Sequence, residues 1–147
     1  MRLVLQRTSN AEVWIDGRQH ARTKAGLLVL FGTKSGDDSS SCRFLAEKAV
    51  NLRIFEDEAG KMNLSALDVN AEVMVVSQFT LYADCHKGRR PSYSEAMEPA
   101  QAEPLYLEFI QRLRESGLQV ASGVFGAKMD VRLCNSGPVT IILEHGV

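Results

Sequence analysis

Ser77-Gln78-Phe79-Thr80-Leu81-Tyr82 closes an apolar run, and Asn135-Ser136-Gly137-Pro138-Val139-Thr140 lies near the C-terminus. Both stretches mix small polar side chains with residues that fix the backbone. Neither holds a His, Asp, Glu or Cys suited to acid–base or nucleophilic work. That combination suggests a site built from main-chain groups. Ser77 and Thr80 are the only plausible hydroxyl nucleophiles at a strand end, but a hydroxyl needs an activating base, and none is evident nearby. The two hydroxyls therefore either join the chemistry or simply hydrogen-bond a turn. Main-chain amides are a separate matter. A strand that ends and turns leaves N–H groups unpaired, and two of them form an oxyanion hole. Phe79 can then wall a pocket, and Gln78 can orient a polar group. In the second stretch, proline removes a donor and X-Pro is the bond that readily becomes cis. Glycine lets another backbone approach closely. Gly137-Pro138 is thus either a turn between two strands or a cis unit whose successive carbonyls point almost together and capture an ammonium group.

Other reactive side chains carry less. His20 falls on a hairpin strand, His145 close to the end, and His86 in a long loop beside Lys87, Arg89 and Arg90. His86 reads as a solvated loop residue. The basic cluster is either a solvated patch or a set of phosphate contacts. No Gly-rich phosphate loop, metal-ligand spacing or G-x-S-x-G elbow is present.

The elements that must position these groups are mostly strands. Arg2 to Arg7 alternates, Ala11 to Ile15 continues it, and Asp16-Gly17 is a tight-hairpin signal leading to a return strand over 18–24. The glycine-bounded run 26–32 is short enough for a strand buried on both faces. Asp37 and Asp38 suit a helix start. Cys42, Leu45, Ala46, Ala49 and Val50 then form one apolar stripe. Arg53-Ile54-Phe55 predicts a short strand, 57–60 a turn, and 63–70 irregular chain. Val73 to Val76 is the best central strand and delivers the chain into Ser77. Residues 83–99 read as a loop of functional length. Ala102, Leu105, Tyr106, Phe109, Ile110 and Leu113 stripe a second helix that Gly117 ends. Short strands follow at 120–122, around Met129 to Leu133, and at 139–143. The pattern predicts one α+β domain over residues 1–147, with two main helices packed on a largely antiparallel, barrel-like sheet.

Composition agrees. With 45% apolar and 24% charged residues in 147, the chain is globular rather than disordered. A net charge of -1 excludes a global footprint for a nucleic-acid duplex, so such a partner must be held locally. Three scattered cysteines, Cys42, Cys85 and Cys134, read as free thiols in a reducing compartment. No apolar run is long enough to span a membrane. A cytoplasmic protein is expected.

The chain resembles the D-aminoacyl-tRNA deacylases. Ser77 to Leu81 matches that family's SQFTL motif, and Asn135 to Thr140 is similar to its N-x-G-P-[VF]-T motif. The resemblance extends to Leu5-Gln6-Arg7, the 26–32 run, Arg53-Ile54-Phe55, 60–64, Arg90-Pro91-Ser92 and Phe125-Gly126-Ala127 with Met129. Ser136 stands where the family most often has Asp. The resemblance implies the family's fold and hydrolysis of the ester between a D-amino acid, or mischarged glycine, and tRNA. It implies no cofactor or metal. It further implies a homodimer with active sites at the subunit interface and contact with the acceptor end of tRNA. Ser77, Gln78, Phe79 and Thr80 are then the catalytic stretch, with main-chain amides on the substrate carbonyl and the terminal 2′-hydroxyl assisting. Gly137-Pro138 becomes a cis chiral filter held by Arg7, with Met129 in the pocket wall. Lys87, Arg89 and Arg90 are the candidate tRNA contacts. An alternative view makes Thr80 the nucleophile. Two rivals stand beside this reading: a nucleic-acid-binding dimer without catalysis, and a general esterase indifferent to RNA.

Overall fold

A computed structural model describes residues 1–146; Val147, the last residue of the expected domain, lies outside them. The organising element is β1 (Arg2–Ile15), whose Leu3, Leu5, Ala11 and Val13 are fully buried. Asp16 and Gly17 both adopt positive φ, as a two-residue hairpin requires, and lead to β2 (Arg18–Thr23). β3 (Gly26–Gly32) is buried almost throughout. It pairs with the first half of β1, while β2 pairs with the second half. β6 (Glu72–Ser77) lies beside β3, and β7 (Val120–Ser122) beside β6. The long β8 (Asp130–Glu144) runs along the other side of β1.

Every pairing of β1 is antiparallel, but β3–β6 and β6–β7 are parallel, so the sheet is mixed. The connections explain the difference from the expected largely antiparallel sheet. The chain between β3 and β6 carries α1 (Ser39–Asn51) and a hairpin of β4 (Phe55–Glu56) and β5 (Met62–Leu64). The chain between β6 and β7 carries α2 (Pro99–Glu115). Crossovers of that length return a strand in its original direction. β4 starts two residues beyond Arg53, and β5 takes in residues 63 and 64 of the 63–70 segment expected to be irregular. The Arg53 side chain instead donates to the Asn63 carbonyl at 2.8 Å and braces the hairpin from outside.

Both helices follow their stripes. Asp38 caps α1, accepting from the amides of Ser40 and Ser41 at 3.0 and 3.1 Å. Hydrogen bonds from the Ser40 hydroxyl and the Ser41 amide hold its carboxyl below the usual range. Cys42, Leu45, Ala46, Ala49 and Val50 are all buried, as are Ala102, Tyr106, Phe109, Ile110 and Leu113 of α2. These faces cover one side of the sheet, against Leu3, Leu5, Leu27, Val29, Val73 and Val75. Leu28, Met74, Val76, Ala11 and Val13 form a smaller cluster, over which Met129, Val131 and Leu133 pack half-buried.

One polar group in the larger core bears on the site. The Tyr106 hydroxyl is aimed at the carbonyls of Val75 and Gly123, at 3.1 and 3.3 Å. Burial pushes it up to about 12, so it is a donor at any physiological pH. Tyr106→Phe is expected to cost about 0.5–1.5 kcal/mol, the net worth of one hydrogen bond, because the Val75 carbonyl keeps its bond from the Gly123 amide at 2.9 Å. Urea unfolding with an unchanged m-value and a lower midpoint is the check.

Candidate functional site

β6 ends because its last ladder bond runs from the Gln78 amide to the Phe31 carbonyl at 2.7 Å, after which the backbone turns. Phe79–Tyr82 is a 3₁₀ turn, closed by Leu81 N–H to Gln78 O at 3.2 Å and by Ala83 N–H to Thr80 O at 3.1 Å. A turn starting here leaves the amides of Phe79 and Thr80 without intrahelical acceptors, and neither donates to another group among the described residues. The Thr80 hydroxyl accepts from the Gln78 side-chain amide. Its partner is a donor, so nothing in that contact removes its proton.

A cavity of about 310 Å³ opens beside this turn. Phe31, Thr33, Ser77 and Phe79 line one side, and Phe125 and Gly126 another. The returning half of the 83–98 loop completes the wall with Tyr93, Ala96, Met97 and Glu98. Two backbone bonds hold that half in place: Ser35 N–H to Glu95 O and Met97 N–H to Thr33 O, both 3.1 Å. Tyr93 meets Phe79 edge-on with ring centroids 5.0 Å apart. Phe79 remains 56% exposed on the rim of this cavity.

The loop narrows where Asp84 and Ser92 exchange backbone bonds of 2.8 and 2.9 Å. Beyond that neck Lys87, Arg89 and Arg90 are exposed, and none forms an ion pair among the described residues. His86 is solvated, as expected, and its ring nitrogen lies 2.7 Å from Asp84. Hydrogen bonds from the His86 amide and ring lower the Asp84 carboxyl.

The second motif has a different form from the plain turn. Residues 135–140 lie within one continuous strand, β8, and the Gly137–Pro138 bond is cis. Register pairs Asn135 with Thr8 and Thr140 with Gln6. Four residues of β8 therefore face Arg7 alone, and Gly137 and Pro138 stand exposed in the resulting bulge. Arg7 is buried beneath it. Its Nε donates to Ser136 O at 3.0 Å and its Nη1 to Ile54 O at 2.8 Å, while Nη2 lies 3.7 Å from Glu56. Gly137 has φ +128°, and a Cβ there would lie 2.8 Å from Arg7 Nη2 and 3.0 Å from Val139 Cγ2.

The sequence motifs thus form two groups. Ser77 and Phe79 line the cavity with the Gln78–Thr80 contact next to them, whereas Arg7, Gly137 and Pro138 cluster on β1 and β8. Met129 belongs to neither; its sulfur packs against Gly123, where a Cβ would come within 2.5 Å. Register gives the separation of the two groups. Arg7 pairs with Leu27, and Ser77 with Phe31, a separation of four residue steps along β3. That is about 13 Å along the strand direction. Sequence reasoning missed Tyr93, Met97 and Phe31 as cavity residues. The available signals were Tyr93 and Met97, the two large apolar side chains of the 83–98 loop.

No group of three or more His, Cys, Asp or Glu is placed to hold a metal among the described residues, and no described helix is long and apolar enough to cross a membrane. Cys42 is buried, and desolvation pushes its thiol up to about 12; Cys85 and Cys134 are exposed.

The family model described as D-Tyr-tRNA(Tyr) deacylase matches residues 4–144. A D-aminoacyl-tRNA deacylase of Thermosipho africanus is 53% identical over 144 residues, covering 98% of this chain and 97% of the relative. One from Brevibacillus brevis is 54% identical over 144 residues, 98% of this chain and 99% of the relative. Among solved structures, the c-Myc DNA Unwinding Element Binding Protein superposes with a TM-score of 0.94 at 39% identity, over the full length of both chains. The fold also matches a structure described as a probable eukaryotic D-amino acid tRNA deacylase, with a TM-score of 0.84 at 18% identity over 97% of each chain.

Proposed function

Because this chain belongs to the D-Tyr-tRNA(Tyr) deacylase family and is a D-aminoacyl-tRNA deacylase, we propose that its main chain, rather than an acidic or basic side chain, performs the hydrolysis. The observation that carries this reading is the pair of unpaired amides, Phe79 and Thr80, in the turn beside an aromatic-walled cavity. The terminal adenosine of tRNA stacks in that cavity against Phe79, Tyr93 and Phe125, an interaction worth about 1–3 kcal/mol per base. The ester carbonyl then lies on the two amides, which stabilise the oxyanion of the tetrahedral intermediate. Water attacks, assisted by the 2′-hydroxyl next to the ester, and free amino acid and tRNA leave. Ser77 and Gln78 shape the turn that presents the amides. Lys87, Arg89 and Arg90 hold phosphates of the acceptor end, as a local grip that a near-neutral chain requires.

The chiral filter is Gly137-Pro138, supplied by a second copy of the chain. The offset of about 13 Å between Arg7 and Ser77 supports this, since the bulge and the amides of one chain do not meet the same ester. The outer edge of β8 also pairs with no strand among the described residues. Its inward residues Val131, Leu133, Val139, Ile141 and Leu143 remain half-buried and Ile142 is exposed, the pattern of an edge that a partner covers. Arg7 fixes the filter from beneath, while Met129 lies outside both groups and supports them only through its packing on Gly123. An L side chain meets a backbone that cannot step aside. Glycine has nothing to clash, so glycyl-tRNA is also cleaved. The working unit is a homodimer of single-domain chains in the cytoplasm, with no cofactor.

The test is hydrolysis of D-Tyr-tRNA beside L-Tyr-tRNA. Fast loss of the D ester alone is expected. Equal loss of both esters overturns the filter, and tRNA binding without turnover overturns the main-chain mechanism.

A further inference from the structure

The bulge in β8 interrupts the ladder at the place where its geometry matters most. Between the Thr8–Asn135 and Gln6–Thr140 pairs, four residues have only Arg7 opposite them. Arg7 donates to Ser136 O and so holds the base of the bulge on one side only. Pro138 has no N–H to contribute. The neck must be closed by something else, and one side chain does it. Asn135 Oδ1 accepts the Val139 amide at 2.9 Å, and Asn135 Nδ2 donates to Thr140 Oγ1 at 3.0 Å. Gln6 Nε2 reaches the same hydroxyl at 3.4 Å.

We infer that Asn135 is a positioning residue for chiral discrimination: its carboxamide takes the place of the lost ladder bonds and sets where the Gly137-Pro138 backbone stands. The chemistry requires this residue type. One carboxamide both accepts and donates at the ends of a single short side chain. It therefore binds the strand on the far side of the bulge at two successive residues, through the Val139 amide and the Thr140 hydroxyl. Arg7 fixes the near side, and Asn135 fixes the span. A filter that works by excluding a side chain depends on backbone position to a fraction of an ångström, so a neck left open relaxes selectivity before it reduces the rate of the chemical step.

The inference rests on the filter reading above, and its test separates the two. In Asn135→Leu, which keeps the shape and removes both bonds, the Val139 amide should exchange with solvent roughly thirtyfold faster, the worth of two ordinary hydrogen bonds. The ratio of D-Tyr-tRNA to L-Tyr-tRNA hydrolysis should fall by a similar factor. Asn135→Asp keeps the acceptor for Val139, and the Thr140 hydroxyl can turn to donate to its second oxygen, so it should restore most of the ratio. Thr140→Val removes one arm and should lie between the wild type and Asn135→Leu. A merely structural role would lower stability without moving the ratio. Unchanged Val139 exchange in Asn135→Leu overturns the clamp, whatever the enzyme does to either ester. Faster exchange with an unchanged D-to-L ratio overturns its link to discrimination.

Discussion

Gly137→Ala will lose D-aminoacyl-tRNA deacylation by about 100-fold, the usual effect of moving a working group by about an ångström. Two independent features make this position intolerant. The backbone holds φ +128°, a region that residues with a Cβ rarely adopt, at a cost of about 1–3 kcal/mol. The added methyl would also lie 2.8 Å from Arg7 Nη2. An exposed arginine tip would swing away from such a contact. This one cannot do so freely, because Arg7 is buried and its other nitrogens are bonded to Ser136 O and Ile54 O. Relieving the clash means moving the bulge, the guanidinium, or the chain around Ile54, and each shifts the backbone proposed above as the filter. Initial rates on D-Tyr-tRNA, with circular dichroism to confirm folding, provide the check. A folded alanine variant with wild-type rate and full selectivity would remove Gly137 from the filter.

What the sequence made legible follows from what is local. The stripe in α1 and its Asp38 cap, the Asp16-Gly17 hairpin and the central strand before Ser77 all rest on periodicity or on a short turn signal, and each appears in place. The direction of β3 against β6 was not legible, because a run buried on both faces carries no mark of parallel or antiparallel pairing. Nor was the continuity of β8. Gly-Pro breaks the apparent alternation, so one strand with a bulge reads as two strands and a turn. Tyr93 and Met97 reach the cavity through bonds from Ser35 to Glu95 and from Met97 to Thr33, between segments some sixty residues apart. No local pattern records such pairings. The Ser77–Thr80 stretch, proposed above as catalytic, stood out for a different reason. A strand end with no acid or base beside it suggests a site built from main-chain groups, and the free N–H groups of Phe79 and Thr80 are what that proposal rests on.

Thr80→Ala separates the two chemistries that this stretch allows. If the hydroxyl were the nucleophile, its removal would abolish turnover. The geometry argues otherwise, since the hydroxyl accepts a hydrogen bond from Gln78 and meets no base there. The amide survives the substitution, so Thr80→Ala should keep kcat within about tenfold of wild type, the worth of one ordinary hydrogen bond lost from the turn. The larger effect is expected on the substrate side. D-Tyr-tRNA ending in 2′-deoxyadenosine should be cleaved about 100- to 10,000-fold more slowly, the range over which a positioned proton-transfer group contributes, while its affinity stays near that of the normal ester. The pair of single-turnover measurements assigns the proton. A dead Thr80→Ala that still folds and binds tRNA would transfer the chemistry to the protein hydroxyl. A fully active 2′-deoxy ester would leave the two amides as the whole of the catalytic machinery.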